Sequence, residues 1–321
     1  MHKHPPMNIT LLDRNTLGDV PNLNRLNELG NLTMHDATPP EQVVARLQGQ
    51  QVAITNKVTL DRAILAQLPD LRLICVAATG TDNVDTDYAQ QQGVAVKNVR
   101  DYSTPSVVQV TWTLILTLLQ RPQHFNDFVH SGAYSQHDSF TYFEPPFGEV
   151  AGKRLGIIGL GTIGQQVARV GTAFGAEVAY VSSGSKKSSS ASEQTDYLLL
   201  TLEELLATSD IISIHAPLNE DTKNMLTYAQ LERMPAHALL INSGRGGIVN
   251  EADLARAIDE GLIGGAGVDV FTQEPLPADH PYLRVKKKER LLLTPHLGWA
   301  SIEARTRLVD GVYENIQEFQ S

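Results

Sequence analysis

Leu155-Gly156-Ile157-Ile158-Gly159-Leu160-Gly161-Thr162-Ile163-Gly164 is the stretch on which the reading of the whole chain turns. A short apolar run enters a Gly-x-Gly-x-x-Gly turn, and Val167, Val170 and Phe174 then recur at helical spacing. The pattern predicts strand, glycine turn and helix in direct succession. Gly159 would allow the tight turn, Gly161 the approach of a pyrophosphate to the backbone, and Gly164 close packing of helix on strand. The helix start at Thr162 and Ile163 would then face the phosphates with its unpaired N–H groups. The motif alone is weakly specific. Its context raises it, because a second strand is predicted at 178–181, the expected distance further on. The reading is a dinucleotide-binding unit.

The end of that second strand bears on which dinucleotide is taken. An NAD-specific fold usually has Asp or Glu there to bond the adenosine ribose, and this chain has Ser182. Ser183, Ser185, Lys186 and Lys187 follow, offering hydroxyls and two cations as a cradle for a 2′-phosphate. NADP is therefore expected over NAD, the competing reading being a solvated loop that selects neither.

Outward from this motif, apolar runs at 155–158, 178–181, 211–214, 238–241, 268–270 and 291–293 supply enough strands for a full dinucleotide fold. An earlier series at 9–12, 52–55, 73–77 and 94–96 alternates with polar helical stretches and predicts a second parallel sheet. A length of 321 residues exceeds one ordinary core. The expected fold is α/β, with two Rossmann-like, doubly wound parallel-sheet domains and an active-site cleft between them. Between the series, Thr104-Pro105 opens a long apolar helix to 119, expected to connect the domains, and a last helix at 301–319 is expected to return to the first domain. Thr201 with Glu204, and Thr227 with Gln230, read as capping boxes, and Asn250 caps a helix that Gly261 ends.

Composition narrows the function classes. With 42% hydrophobic residues, 19% charged residues and a net charge of −10, the chain reads as globular and lacks the overall basic character of a nucleic-acid binder. No apolar run approaches membrane-spanning length, and the opening MHKHPPMNIT lacks the apolar region of a signal peptide, so a cytoplasmic protein is expected. The single cysteine, Cys75, lies in an apolar run and reads as a core thiol. No metal is expected, His2 and His4 standing on a terminus prone to fraying.

Three segments near the ends of later strands carry chemistry: Asn242-Ser243-Gly244-Arg245-Gly246-Gly247, Val268-Asp269-Val270-Phe271 with Gln273-Glu274-Pro275, and Thr294-Pro295-His296-Leu297-Gly298-Trp299. Reducing a 2-oxo acid takes a cation to hold the carboxylate and polarise the ketone. It also takes a proton donor for the alkoxide formed as hydride arrives. Arg245 and His296 are those two residue types, and a buried Glu274 beside the histidine would favour its imidazolium form.

Over nearly its whole length the chain resembles the D-isomer-specific 2-hydroxyacid dehydrogenases. The resemblance implies that Arg245, Glu274 and His296 form a catalytic triad. It implies that backbone amides at Thr79 and Gly80, in the loop Thr79-Gly80-Thr81-Asp82-Asn83-Val84-Asp85, hold the substrate carboxylate. Asp269 would bond the nicotinamide carboxamide, and His215-Ala216-Pro217 would flank the cofactor. A discontinuous substrate domain, 1–103 with 296–321, and a cofactor domain at 104–295 are implied likewise. Two departures stand out: Ser182 in place of an acidic residue, and Gln109 where Glu is common.

Within the family, the segments from Ala78 to Asp85 and from Pro295 to Ser301 are most similar to hydroxypyruvate and glyoxylate reductases, also called glycerate dehydrogenases. Trp299 would shape the substrate pocket or simply pack. A D-lactate or branched 2-hydroxyacid dehydrogenase is the alternative substrate class, and a dinucleotide-gated corepressor-like binding protein the alternative of another kind. Glu274 argues against a formate dehydrogenase, which has Gln there. The expected partner besides the small acid is a second copy of the chain, through the helix at 104–119 and the segment 140–147.

Overall fold

Val52–Thr55 and Leu73–Val76 are runs in which every side chain is buried, the signature of parallel strands covered on both faces. The computed structural model describes residues 6–182 and 195–321. The chain divides into two units, Met1–Ser103 with Trp299–Ser321, and Thr104–Gly298.

The first unit holds β1 (Met7–Leu11), β2 (Gly30–Met34), β3 (Val52–Thr55), β4 (Leu73–Val76) and β5 (Ala95–Asn98). All pair in parallel in the order β2-β1-β3-β4-β5, with Ile9 beside Val52, Val52 beside Leu73 and Leu73 beside Ala95. The helix Ile302–Gln320 returns to this sheet. Ser301 caps it by accepting the N–H of Ala304 at 3.1 Å, and Ala304, Leu308, Val309, Val312 and Ile316 enter the core beside Leu73 and Cys75. β2 was not foreseen, because only alternate residues of this edge strand are even half-buried and no apolar run announces it.

The second unit holds β6 (Arg154–Ile158), β7 (Glu177–Val181), β8 (Leu198–Leu199), β9 (Ile211–Ile214), β10 (Leu239–Asn242), β11 (Gly265–Val268) and β12 (Leu291–Leu293). Among the described residues the order is β12-β11-β10-β9-β6-β7-β8, all parallel. This is the doubly wound dinucleotide topology with one strand added, its order reversing between β6 and β9. The capping boxes at Thr201 and Thr227 are present, and Gly261 ends its helix in the left-handed conformation.

Two observations bear on the expectations for the interface and the boundary. The helix Thr104–Gln120 turns its apolar face into the second unit's own core, burying Val107, Val108, Trp112, Leu114 and Ile115, so that face is not open for another copy. Where the resemblance implied a boundary before His296, the division falls at Gly298. The reason is local: His296 donates its N–H to the Asp269 carbonyl, and Leu297 and Gly298 donate theirs to the Asp269 carboxylate, tying this segment to the second unit.

Candidate active site

The glycine turn opens directly from β6, and its three glycines have different reasons to be glycine. Gly159 has φ +93°, and a Cβ there would lie 2.8 Å from the backbone nitrogen of Ala216. Gly164 is held so close to the turn that a Cβ would sit 2.3 Å from the Gly159 carbonyl oxygen. Gly161 meets nothing within 4 Å among the described residues, so its missing side chain leaves open space in front of the helix Thr162–Ala173. That helix has glycine at its N-cap and no capping side chain, leaving the N–H groups at its start for an anion.

The strand on the other side of the reversal brings up His215, Ala216 and Pro217. Ala216 is buried and Pro217 exposed. His215 Nε2 lies 2.9 Å from Ser213 Oγ, while Nδ1 is shielded from solvent and has no hydrogen-bond partner among the described residues. Burial lowers the imidazole pKa to about 4, so the ring is neutral at physiological pH. An open glycine cradle, an uncapped helix terminus and an unsatisfied buried nitrogen at one strand reversal fit a dinucleotide. Ser182 follows β7 and is exposed; Ser183, Ser185, Lys186 and Lys187, like His2 and His4, lie outside the described residues.

At the ends of β10, β11 and β12 the three chemical segments come up side by side. Arg245 is exposed in the loop after β10; its Nη1 donates to the Gly244 carbonyl at 2.9 Å, and the Arg245 carbonyl accepts from Asn242 Nδ2 at 3.0 Å. Glu274, beyond β11, accepts the Phe271 N–H on Oε1 at 2.9 Å and lies 2.7 Å from His296 Nδ1 through Oε2. This pair is less enclosed than expected: the side chains of His296 and Glu274 are 29% and 33% exposed, because the Glu274 loop runs along the surface of its unit. His296 has φ +53°, a backbone region that costs any residue other than glycine energy. Its N–H bonds the carbonyls of Asp269 and Thr294, both at 2.9 Å, which holds it there.

Asp269 does more than its sequence position suggested. It is 1% exposed, and its carboxylate accepts from Thr294 Oγ1 at 2.5 Å, Leu297 N at 2.8 Å and Gly298 N at 2.8 Å. The carboxylate is therefore the clamp of the His296 loop. No local motif marks that role, since the partners are separated from Asp269 by a strand and a loop.

In the first unit, Thr79 and Gly80 lie in the turn after β4. The Thr79 carbonyl accepts from Asn98 Nδ2 and its hydroxyl donates to the Val99 carbonyl, while the two backbone N–H groups make no hydrogen bond among the described residues. Trp299 packs, half-buried, on that unit's core.

Comparison with known proteins places the fold in a family. Residues 112–298 match the family described as D-isomer specific 2-hydroxyacid dehydrogenase, NAD binding domain. The chain is 41% identical over 280 residues to glycerate dehydrogenase of Methylorubrum extorquens, covering 87% of this chain and 86% of that one. Among solved structures, D-lactate dehydrogenase of Aquifex aeolicus, complexed with NAD and lactic acid, has 27% identity and a TM-score of 0.81 over 98% of this chain and 95% of that one. The NADPH-dependent glyoxylate/hydroxypyruvate reductase of Sinorhizobium meliloti, in complex with citrate, has 25% identity and a TM-score of 0.83, with 99% and 95% covered.

Proposed function

The chain belongs to the D-isomer-specific 2-hydroxyacid dehydrogenases, NAD(P)-dependent oxidoreductases acting on a CH–OH group, and from that premise we propose that it reduces hydroxypyruvate or glyoxylate, with His296 as proton donor. The observation that carries this reading is the hydrogen bond between His296 Nδ1 and Glu274 Oε2. With Nδ1–H donated to a carboxylate, the ring has a fixed orientation and its Nε2 is left for the substrate. The dinucleotide, when bound, supplies the hydride that reaches the substrate's C2. His296 delivers the proton to the carbonyl oxygen, so that C=O becomes CH–OH. Arg245 is the cation that draws in the carboxylate and stabilises negative charge growing on that oxygen. The free amides of Thr79 and Gly80 suit a carboxylate.

The test is initial-rate reduction of hydroxypyruvate, glyoxylate, pyruvate and 2-oxoisocaproate, with NADPH and with NADH, by the wild-type chain and by His296→Ala. Turnover on the first two that falls by about 100-fold or more in the variant, at unchanged dinucleotide affinity, is expected. Preference for pyruvate or 2-oxoisocaproate would shift the substrate class; wild-type rates in the variant would remove His296 from the role. No turnover on any acid would favour a dinucleotide-gated binding protein.

NADPH is proposed as the preferred cofactor, on the absence of a carboxylate at Ser182, where β7 ends. The Sinorhizobium protein is named NADPH-dependent, whereas the Aquifex protein was solved with NAD. Ser182→Asp combined with Lys186→Ala and Lys187→Ala should move the preference toward NADH, and an unchanged ratio would dismiss the serine-rich segment as a determinant.

A homodimer is proposed through the segment 140–147 alone, where Phe140 is 89% exposed, Phe143 68% and Phe147 53%. Three large apolar side chains left this open argue for a cover. Light scattering should give twice the chain mass, and Phe140→Ser with Phe143→Ser should give monomers.

A further inference from the structure

The second unit contains another carboxylate–imidazole pair, and it is more enclosed than the first. His280 Nε2 stands 3.0 Å from Glu251 Oε2, with side chains 6% and 15% exposed. The tautomer follows from the other ring nitrogen: Nδ1 accepts the N–H of Tyr282 at 3.2 Å, so the proton is on Nε2 and is donated to Glu251.

The second oxygen of Glu251 points back toward the site. Oε1 accepts the N–H of Thr272 at 2.8 Å, and the neighbouring amide, that of Phe271, goes to Glu274. Two consecutive amides are thus held by two carboxylates, and each carboxylate holds one histidine. The same peptide lies close against the Arg245 loop, where a Cβ on Gly246 would fall 2.1 Å from the carbonyl carbon of Phe271 and 2.5 Å from the nitrogen of Thr272. Glu251 has a firm base as the first residue of the helix Glu251–Glu260, where Asn250 caps the helix at the N–H of Asp253. The Phe271 ring packs edge-on against His280 and Tyr282, at 6.2 and 6.3 Å between centroids.

We propose that Glu251 and His280 form a positioning latch, which fixes the Phe271–Thr272 peptide so that Glu274 is held where it can orient His296. Neither residue touches the reacting atoms. The latch rests on the proposed roles of Glu274 and His296. It predicts that losing Glu251 costs turnover rather than dinucleotide affinity, since its contacts run to the Glu274 loop and not to the glycine turn.

The test is a double-mutant cycle. Glu251→Ala should lower kcat by between about tenfold and 100-fold with dinucleotide affinity within about twofold of wild type. In a Glu274→Ala background the same substitution should cost little more, because the group through which it acts is already gone. Glu251→Gln retains an acceptor for Thr272 but opposes the His280 Nε2–H, and should lose an intermediate amount; it also keeps the cycle usable where the alanine variant fails to fold. A full additional loss in the Glu274→Ala background, or unchanged kcat in both Glu251 variants, overturns the latch alone. Wild-type turnover in Glu274→Ala overturns the catalytic reading, and the latch with it.

Discussion

Asp269 holds His296 and the two residues after it: its carbonyl accepts the His296 N–H at 2.9 Å, and its carboxylate accepts the next two amides, those of Leu297 and Gly298. The left-handed backbone at His296 is thereby imposed from outside the residue, by a buried carboxylate on a neighbouring strand end. Strain of this kind persists only where the surroundings over-determine it.

Asp269→Ala should therefore damage both stability and catalysis. It leaves two amides and the Thr294 hydroxyl without their acceptor, each at a cost of about 1 to 3 kcal/mol where it stays buried, and it frees His296 from its geometry. A melting temperature several degrees lower, with kcat reduced at least about 100-fold, is expected by calorimetry and initial rates. A stable protein with wild-type kcat would show that the clamp is dispensable.

The glycine turn separates fold from binding. Gly164→Ala places a Cβ against the backbone oxygen of Gly159, which cannot rotate away, so the variant should lose thermal stability. Gly161→Ala meets no atom of the described residues within 4 Å and should melt like wild type, yet its methyl group occupies the space a pyrophosphate would need. Dinucleotide affinity measured by nicotinamide fluorescence should fall by about tenfold or more in the latter. Equal melting temperatures and equal affinities in the two variants would dismiss both assignments.

The features legible from sequence were those encoded within one short window. The glycine turn, the buried runs 52–55 and 73–77, and the caps at Thr201, Thr227 and Asn250 are of this kind, each a few residues whose mutual spacing is itself the signal. β2 escaped because an edge strand needs only one partly buried face, and Asn31 and Thr33 could equally belong to a loop. The supports of the site escaped for another reason. Asp269 with Gly298, and Glu251 with His280, are pairings across strands and loops, and the residue types alone name no partner. Arg245, Glu274 and His296 are proposed on chemical type near strand ends and on resemblance, whereas what holds them in place became visible only with the backbone assembled.

Cys75 offers a probe of the C-terminal helix. Its thiol is fully enclosed, with the Val312 carbonyl and Asn315 Nδ2 from that helix as neighbours, and burial pushes its pKa up to about 12. Iodoacetamide reacts with thiolate, so the native chain should resist alkylation at pH 8 and react once unfolded in denaturant. Because Val312 and Ile316 of the same helix form the core face, substituting Val312 by Ala should speed alkylation by loosening the cover. Rapid labelling of the native wild-type chain would mean that the helix opens freely.

His215 gives the pH dependence. Its folded pKa, about 4, lies below the ordinary value of 6.5, because burial disfavours the charged ring. Between these values the unfolded chain binds a proton that the folded chain does not, so stability is full above pH 6.5 and falls as pH drops toward 4. A shift of this size corresponds to at most about 3 kcal/mol, less to the extent that the ring edge meets solvent. His215→Asn should flatten the stability–pH curve in this window, measured by urea unfolding at a series of pH values, while leaving the curve above pH 7 parallel to wild type. If the slope between pH 6.5 and 4 is the same in both chains, the imidazole titrates freely and its burial exerts no such effect.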